Sequence, residues 1–163
     1  LVQTLLKLLT LDREIETQTV ELSEFLEQIE QGIAPKLSER GATLDVQCEA
    51  DTLCMNADLM QSLLFNLISN AINSYDLDAP DKPVMLRVFA HTVAVSDHGR
   101  GIPKEALPRI FEPFYMVDKS RSKKLGGSGL GLALVRAIAD AHHASITVES
   151  EPGEGTTVSV VLP

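Results

Sequence analysis

The sequence predicts an α+β fold, a two-layer α/β sandwich in which helices pack on one face of a mixed, mainly antiparallel sheet. Three long stretches carry apolar residues at helical spacing, and short strand-like stretches lie between them. Two pairs of the strand-like stretches are joined by short turns, which favours antiparallel pairing. With 163 residues and 44% hydrophobic composition, the chain fits one globular domain with a sizeable core.

The N-terminal segment begins with a short helical stripe. Apolar residues of 1–10 recur at helical spacing, but the stripe is too short to be stable alone, so we interpret it as the end of a longer helix. Thr19 and Val20 predict a short strand. Ser23 is placed to cap the next helix, and Gly41 is placed to end it.

Two strands and the most strongly patterned helix follow. The strands are predicted at 43–48 and 52–55. Either Asn56 or Asp58 is placed to begin a helix that runs to about 74, with apolar residues along one face.

The second half of the chain contains a hairpin, an irregular region and a final helix. The hairpin is predicted at 84–90 and 92–95, and the chain from there to Gly129 is largely irregular. Ser128 is placed to cap a long helix that ends near 142. Two further strands are predicted at 146–149 and 157–162.

The charge distribution excludes several classes of partner. The formal net charge is −9, and residues 1–60 contain 4 basic and 12 acidic side chains, against 10 and 11 in 61–163. Such an acidic chain is a poor match for bulk nucleic acid or an anionic membrane, so any phosphate it binds must meet a local site. Cys48 and Cys54 are too few for a disulfide scaffold and lack the paired spacing of a zinc site.

The segment NLISNAINS places three asparagines on one side of its predicted helix. Asn66, Asn70 and Asn73 are spaced by four and three residues, so their side chains share a narrow stripe beside an apolar face. Amide oxygens are hard, neutral ligands that suit magnesium, which takes its other oxygens from water and phosphates. Taken alone, the segment favours three solvated amides at a helix boundary.

The segment VSDHGRGIP delivers Asp97 from a predicted strand into a turn. Gly99 and Gly101 permit backbone conformations that are closed to other residues. A carboxylate held beside such bare backbone can accept a hydrogen bond from an exocyclic amine such as that of adenine. Taken alone, the pattern favours an ordinary turn.

The segment GGSGLGLALV, residues 126–135, runs from closely spaced glycines directly into a helix. Backbone N–H groups at a helix N-terminus, together with the helix dipole, make a cradle for an anion such as phosphate. The preceding residues are polar and basic, which argues against a dinucleotide fold, and no Gly-Lys-Ser/Thr follows, which excludes a P-loop.

The densest cationic run in the chain, DKSRSKK, lies immediately before these glycines. A long irregular loop with small residues, cations and a glycine exit has the composition of a mobile lid that closes over polyphosphate. A solvated basic loop is an equally good interpretation. The run contains Lys119, Arg121, Lys123 and Lys124.

The order of the motifs resembles that of the histidine kinase and related ATPases with the Bergerat nucleotide-binding fold, also called the GHKL superfamily. NLISNAINS is similar to the N box of that family, DHGRG to its G1 box and IFEPFY to its F box. GGSGLGL is similar to its G2 box and GEGTT to its G3 box. The resemblance covers residues 12–163, and five motifs in the family order are not expected by chance.

The resemblance implies a role for each motif. Asn70 would bind Mg²⁺, and Asn66 would help at the metal or the γ-phosphate, so these two residues are the implied catalytic pair. Asp97 would bind the adenine amine, with Thr156 assisting through water. Phe111 and Phe114 would anchor the base of the lid by inserting their rings into apolar surface. Further nucleotide contacts are implied for Asn73, Gly99, Gly101, Ile102, Phe114, Lys119, Arg121, Lys124, Gly127, Ser128, Gly129, Leu130, Gly131 and Leu132.

Two residues depart from the family pattern. Asn73 occupies a position where many members carry a basic residue, which weakens one phosphate contact or leaves it to the lid. Asn66 replaces a Glu that acts as a base in some relatives. That loss is tolerable when histidine is the acceptor, because a neutral imidazole is already nucleophilic.

The implied activity is that of a two-component sensor histidine kinase. The chain would bind MgATP and donate the γ-phosphoryl group to a histidine on an adjoining dimerisation domain. Residues 1–12 would be the end of that domain's helical hairpin, and 13–163 the catalytic ATP-binding domain. None of the four histidines fits the acceptor, because the family's acceptor lies ahead of the point where this chain begins.

The same resemblance implies the setting of the domain. The parent protein would be a homodimer with a response regulator as partner, and this part would be cytoplasmic, whether or not the parent is anchored in a membrane. A GHKL ATPase clamp, a serine-directed anti-sigma kinase and a nucleotide-sensing module remain alternatives.

Overall fold

A computed structural model describes residues 2–11, 14–74, 82–119 and 128–163, and the element labels below count helices and strands within these ranges. The helices are α1 (Val2–Thr10), α2 (Leu22–Arg40), α3 (Ala57–Asn73) and α4 (Gly131–Ala141), with a 3-10 turn at Leu107–Arg109. The strands are β1 (Gln18–Glu21), β2 (Leu44–Cys48), β3 (Thr52–Met55), β4 (Val84–Phe89), β5 (Thr92–Ser96), β6 (Ser145–Glu151) and β7 (Gly155–Val161).

The main sheet has five strands in the order β2-β4-β5-β7-β6. Strand β2 runs parallel to β4, and all other neighbours are antiparallel, which confirms the predicted mixed, mainly antiparallel sheet. The pairing of β5 with β7 places Ser96 opposite Thr157, next to the turn that follows β5. Strands β1 and β3 form a separate two-stranded antiparallel sheet that the sequence did not predict.

The core lies between this sheet and one layer of helices. Helix α3 contacts β4 and β5, α4 contacts β6, and α2 contacts β2. Alternate residues of β4 are buried, as expected for a strand with one face on the core. The apolar side of α3 supplies the largest group of buried side chains, namely Met60, Leu63, Leu64, Leu67, Ile68, Ala71 and Ile72. The predicted two-layer α+β sandwich is therefore confirmed.

Helix ends agree with the sequence where a side chain or a glycine controls them. The Asn56 side chain accepts a hydrogen bond from the backbone N–H of Leu59 at 3.1 Å and caps α3. Gly41 ends α2 in the left-handed conformation, with φ of 63°. The sequence had left Asn56 and Asp58 as alternatives for the first cap, and the structure selects Asn56, while the assignment of Gly41 is confirmed.

Two predicted N-caps were wrong. Helix α2 begins one residue before Ser23, at Leu22, whose side chain is 1% exposed and whose N–H donates to Asp51 O at 2.9 Å. Helix α4 begins three residues after Ser128, and its N-cap position is Leu130, which is also 1% exposed. Burial of a leucine at each helix start decides where these helices begin.

Helix α1 lies on the outside of the fold. None of its residues is buried, although Leu8 packs against the core, and the Lys7 ammonium donates to the Ser62 hydroxyl on α3. Within the described part of the chain, no helix combines the length and hydrophobicity that a bilayer crossing requires. The division into 1–12 and 13–163 remains a prediction.

Candidate functional site

A cavity of about 480 Å³ opens between α3, the start of α4 and the ends of β5 and β7. It brings together eleven of the residues that the sequence singled out, from motifs that are far apart along the chain. These are Asn66, Asn70, Asn73, Asp97, Gly101, Ile102, Ser128, Gly129, Gly131, Leu132 and Thr156.

One end of the cavity is organised around the Asp97 carboxylate. Asp97 follows β5, and its N–H donates to Thr156 O at 2.9 Å, which ties the turn to β7. The N–H of Gly99 donates to Asp97 Oδ1 at 2.8 Å. Burial raises the pKa of the Asp97 carboxyl above its usual value, while hydrogen bonds from Gly99, Ser74 and Thr156 act in the opposite direction. The result is a desolvated acceptor at a fixed position.

A hydroxyl network beside Asp97 supplies a second acceptor. Ser150 Oγ donates to Gly155 O at 3.1 Å and accepts from the N–H of Ile102 at 2.8 Å. The Thr156 hydroxyl lies 2.9 Å from Ser150 Oγ, and either hydroxyl can be the donor of that hydrogen bond. In both arrangements Thr156 Oγ1 keeps at least one lone pair available to a ligand. This end of the cavity therefore favours a ligand group that donates hydrogen bonds, such as an amine.

Between the polar groups, the wall of the cavity is apolar. Side chains from α3, from strands β5 and β7 and from the segment after β5 form it, and several of them are buried in the core. Such a wall suits the face of a flat ring, which buries apolar surface while its edge reaches polar groups. The apolar lining includes Leu67, Ala71, Val95, Ile102, Ile110 and Val158.

The asparagine stripe of α3 forms another side of the cavity. Asn66, Asn70 and Asn73 all line it, which confirms that their spacing places them on one face. The amide nitrogen of Asn66 donates to Ser62 O at 2.8 Å, so its Oδ1 points towards Gly131, where an added Cβ would lie 2.9 Å away. The Asn70 side chain is exposed. This side therefore presents neutral amide oxygens.

The start of α4 faces the same amides. Gly129 has φ of 75°, and its carbonyl accepts from the N–H of Phe114 at 2.8 Å. Helix α4 then begins at Gly131, and both Gly131 and Leu132 line the cavity. The N–H groups of a first helical turn have no partner within the helix and carry a positive partial charge. This corner of the cavity favours an anion.

Four predicted site residues lie off the cavity wall. A Cβ on Gly99 would lie 2.1 Å from Ser74 O, so this glycine permits a close backbone contact. Leu130 is buried in the protein interior. Phe114 was expected to insert its ring into apolar surface, and this was wrong, because the side chain is 62% exposed and the residue adopts φ of 66°. Phe114 and Lys119 line a separate concavity of about 250 Å³.

The ring of Phe111 packs against the core, and its role as an anchor of the lid stays a prediction. The guanidinium of Arg136 lies 5.7 Å from the centre of that ring. The remaining predicted residues, Arg121, Lys124 and Gly127, lie outside the described residues.

The donor set fits a metal ion that arrives with a phosphate ligand. Within the described ranges, no group of three or more His, Cys, Asp or Glu side chains is arranged to hold a metal. Asn66 and Asn70 offer neutral oxygens, which cannot balance a divalent charge without an anionic ligand. Mg²⁺ keeps several waters and takes few protein ligands when it is bound with phosphates, so the amides suit it.

Several residues that line or support the cavity were missed by the sequence analysis. Ser74 hydrogen-bonds Asp97, and Ser150 organises Thr156, but nothing in the local sequence brings either serine near that carboxylate. Arg100 and Asp118 both line the cavity and form an ion pair at 3.6 Å. Lys36 lines it from α2.

Comparison with known families identifies a match over the second and larger part of the chain. Residues 55–163 match the family described as histidine kinase-, DNA gyrase B-, and HSP90-like ATPase. Among curated proteins, the chain is 34% identical to the sensor protein kinase WalK of Staphylococcus saprophyticus subsp. saprophyticus, over all of this chain and 28% of that protein. It is 41% identical to the sensor-like histidine kinase SenX3 of Mycolicibacterium smegmatis, over 64% of this chain and 28% of that protein.

Solved structures with the same fold include histidine kinases. Full-length ShkA in complex with AMPPNP superposes with a TM-score of 0.82 and 26% identity, over 99% of this chain and 35% of that chain. The mycobacterial sensor histidine kinase MprB superposes with a TM-score of 0.74 and 21% identity, over 91% of this chain and 97% of that chain. The chain thus spans less than a third of the length of the curated relatives named above.

Proposed function

Because the chain belongs to the family of histidine kinase-, DNA gyrase B- and HSP90-like ATPases, we propose that its cavity binds MgATP for transfer of the γ-phosphoryl group to a protein histidine. The observation that carries this proposal is the arrangement of complementary groups in one cavity. Hydrogen-bond acceptors lie at one end, around Asp97, and an anion-binding helix start lies beside amide oxygens at another side.

The adenine end of the ligand fits the Asp97 side. Its exocyclic amine donates to the Asp97 carboxylate, and Thr156 Oγ1 accepts a second hydrogen bond directly or through a water. The flat ring then lies against the apolar wall that includes Val95 and Val158. A guanine base would present a carbonyl where adenine has its amine, so this arrangement selects adenine.

The phosphates fit the start of α4 and the asparagine stripe. The N–H groups at Gly131 and Leu132 meet phosphate oxygens, and the dipole of α4 favours their negative charge. A Mg²⁺ ion bound with the nucleotide would neutralise part of that charge. Asn70 would hold the ion through its amide oxygen, and Asn66 would face the same region across from Gly131.

The chemistry of the site suits transfer to an imidazole. A neutral imidazole nitrogen attacks the γ-phosphorus, the bond from that phosphorus to the bridging oxygen breaks, and ADP leaves with the negative charge. The nucleophile needs no base to start, which agrees with an amide at Asn66. The described residues contribute positioning and charge stabilisation.

We also propose how this chain fits into a longer protein. We infer that 1–12 is the end of a dimerisation and phosphoacceptor hairpin, and that 13–163 is the catalytic domain of a homodimeric two-component sensor with a response regulator as partner. Helix α1 supports this division, since Val2, Leu6 and Leu9 are exposed apolar side chains on its surface. We place this part of the sensor in the cytoplasm, where ATP is available.

The test mixes the chain with a dimerisation domain that carries a histidine, in the presence of labelled ATP and Mg²⁺. The proposal predicts acid-labile label on that histidine, and less of it with an Asp97→Asn chain. Acid-stable label on serine would replace the proposal with a serine-directed kinase. Binding of ATP without transfer to any tested dimerisation domain would favour a nucleotide-sensing or clamp module.

A further inference from the structure

Among the described residues, one cation that lines the cavity has no ion pair with another described residue. Among the described lining residues, Asp97 and Asp118 are acidic, and Lys36 and Arg100 are basic. Arg100 pairs with Asp118 at 3.6 Å. Lys36 forms no ion pair with any described residue. Its side chain therefore brings to the wall of the cavity that we assign to a polyphosphate a positive charge that no described residue pairs with.

The environment of Lys36 makes that charge costly in the absence of an anion. Lys36 lies in the last turns of α2 and is half-buried. Burial lowers the pKa of its ammonium below the ordinary value, Glu39 acts to raise it, and Arg40 lowers it further. A phosphate oxygen beside the ammonium would offset the loss of water and the repulsion from Arg40.

Close packing of α2 on α3 brings Lys36 to this position. A Cβ added to Gly32, one turn before Lys36, would lie 2.5 Å from the ring of Phe65 on α3. One helical turn after Phe65, Ser69 lines the cavity, as does the neutral amide of Asn73. The cationic side chain thus enters from α2, beside a stretch of α3 whose polar lining groups are uncharged.

We propose that Lys36 binds a phosphate oxygen of the nucleotide and that α2 is therefore part of the phosphate-binding site. The inference rests on the proposed function, because it takes the ligand to be a nucleoside polyphosphate. It adds a cation from a helix that none of the glycine or asparagine motifs includes. A purely structural alternative exists, since a cation near the C-terminus of a helix also stabilises the helix dipole.

The experiment is calorimetry on the whole chain with four ligands: AMPPNP with Mg²⁺, ADP, AMP and adenosine. Lys36→Gln removes the charge, Lys36→Arg keeps it, and Lys104→Gln is the matched control, because Lys104 is exposed and does not line the cavity. We expect Lys36→Gln to weaken AMPPNP binding by about five- to tenfold, as for one charge-assisted hydrogen bond at a half-exposed site. Adenosine binding should not change, and Lys36→Arg should retain most of the affinity.

The outcomes separate this inference from the proposed function. If the wild-type chain binds no AMPPNP, the proposed function and this inference both fail. If the wild type binds and Lys36→Gln binds AMPPNP equally well, only the role of Lys36 is refuted. Equal losses for adenosine and AMPPNP, together with a lower melting temperature than Lys104→Gln, would assign Lys36 to the helix end instead.

Discussion

Replacing Asp97 with asparagine tests the adenine end of the cavity with little change in shape. The substitution keeps one carbonyl oxygen, which can still accept from the N–H of Gly99, but it removes the charge and replaces the other oxygen with an NH₂ group. That group would face the amine of adenine, so a donor meets a donor. Binding should therefore suffer through both the lost attraction and the new mismatch.

The magnitude follows from the type of bond that is lost. A hydrogen bond to a charged group contributes about 1.5–3 kcal/mol, which corresponds to about a 10- to 150-fold loss of affinity. Folding stability responds differently. Because burial raises the pKa of Asp97, its ionised form costs stability at neutral pH, and removing the charge offsets the weakened hydrogen bonds from Ser74 and Thr156. We expect the free energy of unfolding to change by less than about 1 kcal/mol.

The assay is calorimetric titration with AMPPNP and Mg²⁺ at several pH values, with thermal unfolding of the free chain measured in parallel. Asp140→Asn is the matched control, since Asp140 pairs with Arg136 on α4 and does not line the cavity. Wild-type affinity should fall as the pH drops through the raised pKa of Asp97, because protonation turns the acceptor into a donor. The Asp97→Asn chain should show a flatter pH profile.

Two results would refute this reasoning. One is that the Asp97→Asn chain binds AMPPNP with the same affinity as the wild-type chain. The other is a loss of binding accompanied by a fall in melting temperature much larger than that of Asp140→Asn, which would make Asp97 a structural residue.

Three further predictions concern the metal, the turn and the buried histidine. Asn70→Ala should reduce the gain in AMPPNP affinity on adding Mg²⁺, and leave adenosine binding unchanged in the same titrations. Gly101→Ala should lower the free energy of unfolding by more than about 2 kcal/mol, because φ is 72° and the Cβ would lie 2.1 Å from a backbone oxygen. Gly41→Ala, with φ of 63° and open space, should cost only about 1 kcal/mol in the same denaturant titration. Burial lowers the pKa of His142, whose neutral ring accepts a hydrogen bond from a backbone N–H at 3.0 Å. The contribution of this residue to stability is therefore complete above the unfolded pKa and is lost as pH falls through the folded pKa. Thermal melting between neutral pH and about pH 5 should show less acid sensitivity in His142→Gln than in His143→Gln.

The order and type of the helices and strands could be predicted because local patterns determine them. Strand β3 lies where the local pattern predicted it, and the Asn56 cap was one of the two starts that residue type and position allowed for α3. The wrong caps, Ser23 and Ser128, show the limit of that approach. Packing of Leu22 and Leu130 into the core, which no local pattern reveals, decides where α2 and α4 begin.

The residues of the candidate site were predictable where a motif has its own chemical logic. The spacing of Asn66, Asn70 and Asn73 requires one helical face, and they share the cavity. The approach of Ser74 to Asp97, by contrast, depends on how the end of α3 meets the turn after β5. That contact is tertiary, and so are those that bring in Ser150.

Lys36 illustrates the same limit. In the sequence it is one cation among the charged residues of an amphipathic helix, which usually form a solvated face. In the structure, Gly32 lies close to Phe65 on α3, and Lys36, one turn further along α2, lines the cavity. Cavity-lining side chains contributed by a neighbouring helix have no signature in the local pattern.

The most direct test is a crystal structure of the chain with AMPPNP and Mg²⁺. The account predicts the adenine amine within hydrogen-bond distance of the Asp97 carboxylate, and the phosphates between Asn70 and the start of α4. A nucleotide bound in the opposite orientation, or outside this cavity, would contradict it.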